Sequence, residues 1–266
     1  MRTVSQPEFR FPVTGLPRYF PADRGNAPLP TPAGWRSGSD GYGAWTEEPG
    51  SGMRFRLVPG GTYQMGLSTA ELDAARRIDP EPNLAVAELT PVLPVNVGPV
   101  LLAERPITVG QARHYGVTSE TGRDHCPAML TRADALAAAE ALGGRLPTEA
   151  EWETACRAGT STLFCWGSDI PDSLDLERWL AWDPDGHRNR WGFGGLFFGE
   201  WCSDGYRPSH DPAGPVSPGV HVIKGGGAQY WPWQDGEWVW CLPAMRMPST
   251  DLFADGRCAA RVAVAV

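Results

Sequence analysis

The chain has 266 residues, a net charge of −8, and 42% hydrophobic residues. This length is enough for one large domain with a substantial core, and the acidic balance argues against a broad nucleic-acid-binding surface. No stretch reaches the roughly 18 continuous apolar residues of a membrane span, and the N-terminus lacks the apolar run of a secretory signal. We therefore expect a cytoplasmic protein that binds neither membranes nor nucleic acids.

The first fifty residues differ in amino-acid composition from the rest. They are rich in Pro, Gly, Ser and Arg, yet they also contain six spaced aromatic residues, namely Phe9, Phe11, Tyr19, Phe20, Trp35 and Trp45. Because so many aromatic side chains are uncommon in a free tail, we predict that residues 1–50 form an arm that packs on a main domain of residues 51–266. A disordered tail is the alternative.

The main domain begins with strand-like sequence. Alternation from Met53 predicts a strand, Gly60–Gly61 a turn, and Thr62–Gly66 a second strand. Ser68 then begins a helix, with Glu71 three residues later as the partner of a capping box.

Helices dominate the middle of the chain. The apolar, β-branched stretch Val95–Leu102 predicts a strand, and Thr108–Tyr115 a short helix. Thr131 caps a helix that ends at Gly143–Gly144, and a further helix follows over Thr148–Arg157. The remainder is mostly loop with short strands. The fold class is therefore α+β.

The last of these helices has a distinctive start, the stretch Arg145–Glu153. Pro147 is tolerated in a first helical turn, Thr148 can cap the free amide groups, and three glutamates place negative charge at the positive end of the helix dipole. The string resembles the signature of the formylglycine-generating enzymes, a family also called sulfatase-modifying factors.

Further stretches resemble the same family in the same order. They are Phe55–Gly66, Glu104–Thr108, His125–Ala128, Gly144–Arg157, Phe164–Gly167, Asn189–Phe193, Gly199–Asp204 and Lys224–Gly226, followed by the late arginines Arg246 and Arg261. The resemblance implies a C-type-lectin-like fold with short antiparallel sheets, few helices and long loops.

The residues that carry the family's chemistry are different in this chain. Formylglycine-generating enzymes have two cysteines shortly after an Arg-Gly-Gly strand, and these hold a copper(I) ion, which prefers soft thiolates. Here Tyr230 stands at the first position, and Asp235 or Gly236 at the second. A tyrosine has no exchangeable sulfur, and its pKa near 10 keeps it protonated. We therefore expect that formylglycine synthesis is lost.

Two other cysteines match structural cysteines of some family members. These are Cys156 and Cys241, and the resemblance implies that their sulfur atoms lie close together. They form either a disulfide or a buried reduced pair, and a reduced pair fits a cytoplasmic protein.

Metal binding stays open at the sequence level. The family's calcium site uses an asparagine, and Phe197 occupies that position here, which puts a structural calcium ion in doubt. The loop carboxylates that could serve a cation elsewhere, or remain solvated, are Asp169, Asp172, Asp175, Asp183 and Asp185. Copper or iron is expected only if the protein is an enzyme.

Aromatic residues crowd the segment that lines the family's substrate groove. Trp238 and Trp240 alternate as on one face of a strand, or belong to the core. Trp231 and Trp233 flank a proline before a turn sequence, where side chains are usually exposed.

We therefore expect a binding module for a protein, peptide or small-molecule ligand. Its binding residues would be Trp201, Tyr230, Trp231, Trp233, Gln234, Asp235 and Trp238. The alternative is a divergent metal-dependent oxidoreductase that modifies a peptide or small molecule, with Tyr230, Asp235, Glu237 and Arg246 as candidate catalytic residues. An active formylglycine-generating enzyme is a third hypothesis.

Overall fold

The computed structural model describes residues 29–82, 84–117, 122–160, 162–170, 188–211, 213–226, 238–249 and 257–266. Within these ranges the strands are β1 Arg36–Asp40, β2 Gly43–Glu48, β3 Met53–Val58, β4 Gly61–Met65, β5 Leu93–Val97, β6 Val100–Ala103, β7 Leu130–Thr131, β8 Glu200–Gly205, β9 His221–Lys224, β10 Arg246–Pro248, β11 Arg257–Cys258 and β12 Ala263–Ala265. The helices are α1 Thr69–Ile78, α2 Val86–Leu89, α3 Val109–His114, α4 Arg132–Ala141, α5 Glu149–Arg157 and a 3₁₀ helix at Trp238–Cys241.

The largest sheet has the strand order β1-β2-β3-β6-β12, so it joins early and late parts of the chain. Its first two strands lie in the segment that the sequence pattern assigns to an N-terminal arm. Thr46 is paired with Phe55, and both are fully buried. The predicted boundary at residue 51 therefore falls between two hydrogen-bonded strands. The part of the arm before residue 29 lies outside the described residues.

The two strands on either side of residue 60 belong to different sheets. β4 follows β3 but pairs with β5, in a separate two-stranded sheet that places Tyr63 opposite Val95. The single strand predicted over Val95–Leu102 is wrong, because Gly98 and Pro99 separate β5 from β6. Proline has no amide hydrogen to donate, so a break there lets the two halves join different sheets.

The predicted helix starts are confirmed. Complete capping boxes begin α1 at Ser68, α3 at Thr108 and α5 at Thr148, and Thr131 caps α4. These interactions are local, since each joins a residue to the backbone three positions later.

Helix α5 lies at the centre of the domain. It packs against β3, β4, β5, β8 and β9, and Trp152 is completely buried. The remaining sheets are β10-β9-β8 and the pair β11-β7. Among the described helices, none combines the length and apolar character needed to cross a membrane.

Candidate functional site

The end of β9 leads into positions 227–237, which lie outside the described residues. Gly225 has a positive φ of 85°, and a Cβ atom at this position would overlap the carbonyl oxygen of Phe198. The amide of Gly226 donates a hydrogen bond to the carbonyl oxygen of Phe197 at 3.1 Å. A Cβ atom on Gly226 would lie 3.2 Å from the carbonyl oxygen of Trp240. The residues on either side of positions 227–237 therefore lie next to each other.

Most of the predicted binding and catalytic side chains fall between Gly226 and Trp238. Tyr230, Trp231, Trp233, Gln234, Asp235 and Glu237 lie outside the described residues. Their roles stay predictions from the sequence.

A cluster of aromatic rings lies at the two ends of this interval. We call it the aromatic wall, and it consists of Phe164, Trp166, Phe197, Phe198 and Trp238. The rings of Phe164 and Trp166 are stacked with centroids 4.8 Å apart. Trp166 also makes edge contacts with Phe197 at 6.3 Å and with Trp238 at 6.5 Å. Trp166 is half-buried, whereas the other members are buried.

Two tryptophans predicted to bind ligand are part of the core. Trp201 is 4% exposed, and its indole nitrogen donates to the carbonyl oxygen of Leu130 at 2.9 Å. Trp238 is 6% exposed and belongs to a 3₁₀ helix, so the strand predicted for Trp238 and Trp240 is wrong. Alternation in sequence does not distinguish a short buried strand from a helical turn that is apolar on all sides. Both indoles belong to the same buried hydrophobic cluster.

A buried charge network lies directly before the glycine pair. Lys224 donates to Glu153 at 2.7 Å, and Glu153 also accepts from Arg157 and from the amide of Gly66, each at 2.9 Å. Although burial raises the pKa of Glu153, the positive charges of Lys224 and Arg157 outweigh it and lower that pKa to about 2. Arg157 in turn binds Glu71 at 2.6 Å. The network fixes the end of β9 to α5.

Arg246, a candidate catalytic residue, is held by several partners. Its Nε atom lies 3.1 Å from Glu149, its Nη1 donates to the carbonyl oxygen of Arg207 at 2.8 Å, and its guanidinium lies 4.8 Å from the ring centre of Tyr206. The side chain is 3% exposed. In this arrangement Arg246 joins β10 to the start of α5, which is a structural role.

The second late arginine is also structural. Arg261 is completely buried and forms a two-point ion pair with Glu200, with distances of 2.5 and 2.6 Å. It also donates to the carbonyl oxygens of Ala103 and Gly194. The sequence identifies Arg261 and Glu200 separately as parts of family motifs. It does not show that they form an ion pair, because they are 61 positions apart.

Comparisons with known proteins agree with this architecture. The sequence model of the family described as "Sulfatase-modifying factor enzyme 1-like domain" matches residues 45–250. The chain belongs to this family. The formylglycine-generating enzyme of Streptomyces coelicolor is 31% identical over 43% of this chain and 46% of its own length. That of Mycobacterium tuberculosis is 34% identical over 29% of this chain and 32% of its own length. Each match therefore spans less than half of the curated relative.

Two solved structures share the fold. "Structure of PvdO from Pseudomonas aeruginosa" matches with a TM-score of 0.56 and 14% identity, covering 82% of this chain and 97% of that one. "Treponema denticola variable protein 1" matches with a TM-score of 0.51 and 15% identity, covering 86% of this chain and 98% of that one. The predicted α+β fold with few helices and short antiparallel sheets is confirmed.

The interval that follows β9 in this sulfatase-modifying-factor domain supplies no thiol. None of the six cysteines forms a disulfide, and the sequence contains no cysteine between Cys202 and Cys241. Burial raises the pKa of Cys156, Cys202 and Cys241 well above the usual range, and raises that of Cys258 to about 12. Copper(I) prefers soft thiolate ligands, and no cysteine stands where the family has its pair, so the residues present do not fit the family's copper site.

Both cysteines of the predicted sulfur pair are buried, and the structure has no disulfide between Cys156 and Cys241. The thiol of Cys156 donates to the carbonyl oxygen of Leu196 at 3.9 Å.

The described carboxylates, histidines and cysteines form no metal-binding group. In the described ranges, no three His, Cys, Asp or Glu side chains come together in a way that could hold a metal ion. Phe197 belongs to the aromatic wall, and its carbonyl oxygen accepts from Gly226. Asp169 is exposed, while Asp172, Asp175, Asp183 and Asp185 lie outside the described residues.

Proposed function

We propose that this domain binds a polypeptide segment through its aromatic residues and does not make formylglycine. The observation that carries the proposal is the set of residue types in the interval between Gly226 and Trp238. In that interval the sequence has one tyrosine and two tryptophans, and it has no cysteine. Thiolate chemistry therefore has no nucleophile there, whereas aromatic contact area is plentiful.

The choice of a polypeptide ligand follows from the relatives. They are named for generating formylglycine, which is an amino-acid residue. Tryptophan and tyrosine offer large, rigid contact areas at low entropic cost and are enriched among residues that dominate binding energy. The aromatic wall supports the proposal, because Phe197 and Trp238 secure both ends of the interval that contains Tyr230, Trp231 and Trp233.

Loss of the family reaction can be tested directly. Purified protein is incubated with copper and a peptide of the pattern Cys-x-Pro-x-Arg, and the peptide mass is followed. We expect the cysteine to remain unchanged, while the formylglycine-generating enzyme of Streptomyces coelicolor converts it in a parallel reaction. Aldehyde formation by this chain would contradict the proposal.

Peptide binding can be tested by selection. A displayed library of random peptides is selected on the native protein, and the enriched peptides are measured by fluorescence anisotropy. Replacing Trp231 or Trp233 with alanine should weaken binding at least about tenfold, as expected for aromatic anchors. Tyr42→Ala is the control, because Tyr42 is an exposed aromatic residue on the β1–β2 turn. Equal affinity of all variants, or no enriched peptide, argues against the proposed site.

The metal content of the same purified protein distinguishes the binding module from the alternative, a divergent oxidoreductase. That hypothesis requires a redox metal near Tyr230, Asp235 and Glu237. Copper or iron at one ion per chain, lost on replacing Asp235 or Glu237 with alanine, would favour the enzyme over the binding module.

A further inference from the structure

The main sheet has an exposed edge at β1. In the part of the chain that the structure describes, β2 is the only strand paired with β1. Four of the five β1 residues are exposed, and Gly38 is partly buried. An edge strand presents unpaired N–H and C=O groups, which proteins often block with proline, a β-bulge or lysine. The strand β1 has none of these and instead has one charge of each sign, Arg36 and Asp40, at its two ends.

We propose that β1 pairs with β1 of a second copy of this chain, antiparallel and centred on Gly38. The main sheet then continues across a two-fold axis. In this register the sequence Arg-Ser-Gly-Ser-Asp is complementary to itself, because Arg36 lies opposite Asp40 of the partner subunit and each such pair occurs twice. The inference is independent of the peptide-binding proposal.

The hairpin geometry determines which backbone groups of β1 face outward. Asp40 and Gly43 flank a two-residue turn, and the pair that flanks such a turn is hydrogen bonded. Since hydrogen-bonded and non-hydrogen-bonded pairs alternate along an antiparallel ladder, Ser37 and Ser39 direct their N–H and C=O groups away from β2.

Only one symmetric register uses both the outward groups and the charges. Centring on Gly38 places Ser37 opposite Ser39 of the partner subunit, so that each serine pair exchanges two hydrogen bonds. Centring on Ser37 would place Arg36 opposite a glycine, and centring on Ser39 would do the same to Asp40. Both of these registers also pair fewer residues of β1.

Both charges are available for a contact between subunits. The side chain of Arg36 is 65% exposed, and its partner Glu47 also binds Arg54 at 2.9 Å, so Glu47 does not depend on Arg36 for a cation. Asp40 binds Arg56 at 2.6 Å and is 31% exposed, and a carboxylate can accept further hydrogen bonds. The contact falls at a non-hydrogen-bonded pair, where opposite side chains are closest and opposite charges are stabilising.

The centre of the proposed interface suits a glycine. Trp45 lies opposite Gly38 on β2, and a Cβ atom on Gly38 would overlap its ring. The partly buried indole therefore lies across the backbone of β1 and reaches the edge of the sheet, with the guanidinium of Arg54 4.1 Å from its ring centre. In the two-fold pair the two Gly38 residues are opposite each other, so the two Trp45 rings approach on one face and bury apolar area there.

The test of the dimer is the mass of the native full chain, measured by sedimentation over a range of concentrations. We expect the mass to rise from 28.8 kDa towards twice that value. Arg36→Glu puts like charges opposite each other and should weaken dimerisation at least about tenfold. Arg76→Glu is the matched control, because it makes the same charge change at an exposed position on α1, and it should leave the dimer unchanged. A monomer at every concentration, equal effects of the two variants, or a series of larger oligomers would overturn the proposal.

Hydrogen exchange in the native chain tests the register. The amides of Ser37 and Ser39 should become more protected as the protein concentration rises, whereas the amide of Gly38 faces β2 and should not change. Ser39→Pro removes one outward N–H and keeps the pairing with β2, so it should abolish the dimer without loss of the fold. Protection of the serine amides that is independent of concentration would show that another segment of the chain covers the edge, and would overturn the proposal. This reading does not require any variant to fold.

Discussion

Individual buried charges decide how the end of β9 is held. Lys224 and Glu153 are each 1% exposed, and Glu153 receives hydrogen bonds from two cations and one backbone amide. A buried ion pair adds little stability compared with a well-packed apolar pair, because desolvation offsets the attraction. Removing one partner is far more costly, since it leaves the other charge uncompensated in the core.

We predict that Glu153→Gln destabilises the domain by about 3 kcal/mol, because Lys224 then lacks its only carboxylate within the described residues. Urea unfolding at neutral pH measures this loss. Glu140→Gln on the exposed face of α4 should change stability by less than about 0.5 kcal/mol. Equal effects of the two substitutions would show that the network contributes nothing specific.

The same carboxylate should contribute to acid sensitivity. The folded-state pKa of Glu153 is about 2, below the unfolded value of about 4.3. Its stabilising contribution is therefore present above the unfolded pKa and is lost as the pH falls through the folded pKa. Between about pH 4.3 and pH 2 the native protein should lose stability more steeply than Glu153→Gln, which urea titrations at several pH values would measure. Parallel curves would contradict this assignment.

Gly225 is required for a steric reason in addition to its backbone conformation. We predict that Gly225→Ala costs about 2–4 kcal/mol more than Gly219→Ala, because only at Gly225 would the new Cβ overlap a backbone oxygen. Both glycines have positive φ, at 85° and 72°, but a Cβ on Gly219 meets nothing within 4 Å. The Gly219 variant therefore measures the conformational cost alone, roughly 1 kcal/mol. Thermal or urea unfolding of both variants gives the difference, and similar losses would contradict the steric explanation.

At the scale of elements, helix starts are the best-specified feature of the chain. The helix α5 has a complete capping box, and the carboxylate of Glu151 also binds Arg145 at 2.6 Å. These contacts span at most six residues, so they are visible as a sequence motif. The helix then ends with Ala158 in a left-handed conformation at φ 45°, followed by Gly159.

We predict that Thr148→Ala destabilises the domain by about 1–2 kcal/mol through loss of the cap to the amide of Glu151. Thr148→Ser should recover most of this loss, because serine supplies the same hydroxyl oxygen. Urea unfolding of the two variants is the measurement. If serine and alanine are equally destabilising, packing of the threonine methyl group rather than capping explains the effect.

Strand pairing was predictable only in part, because partners are chosen by contacts far apart in sequence. Alternation locates β3 and β4 correctly, but it does not show that they join different sheets. The aromatic pattern around Trp238 indicates burial without its geometry, since a short 3₁₀ helix and a short strand can both bury two residues of such a pair. The candidate site is limited in the same way. Its residue types can be read from the sequence, whereas the burial of Trp201 and the neighbours of Cys156 depend on the fold.

At the scale of the whole molecule, the main sheet depends on residues before position 51. Arg56 on β3 is completely buried, and it binds Asp40 at 2.6 Å, Glu104 at 2.8 Å and the carbonyl oxygen of Gly43. Two of these three partners belong to the β1–β2 hairpin. On the far side of the sheet, β6 pairs with β12 near the end of the chain. The five-stranded sheet is therefore complete only when both regions are present.

We therefore predict that a chain beginning at residue 51 is much less stable than one beginning at residue 29. The shorter chain loses β1 and β2, exposes the hydrogen-bonding edge of β3 and leaves Arg56 with one carboxylate in place of two. The loss of one of the two carboxylates of a buried guanidinium and the lost strand pairing should together lower stability by several kcal/mol, roughly half or more of what a domain of this kind has. Thermal unfolding of the two truncations against the full chain makes the comparison, and Asp40→Asn in the full chain separates the ion pair from the strands. Equal midpoints for the two truncations would mean that the hairpin is an appendage and that the domain begins at β3.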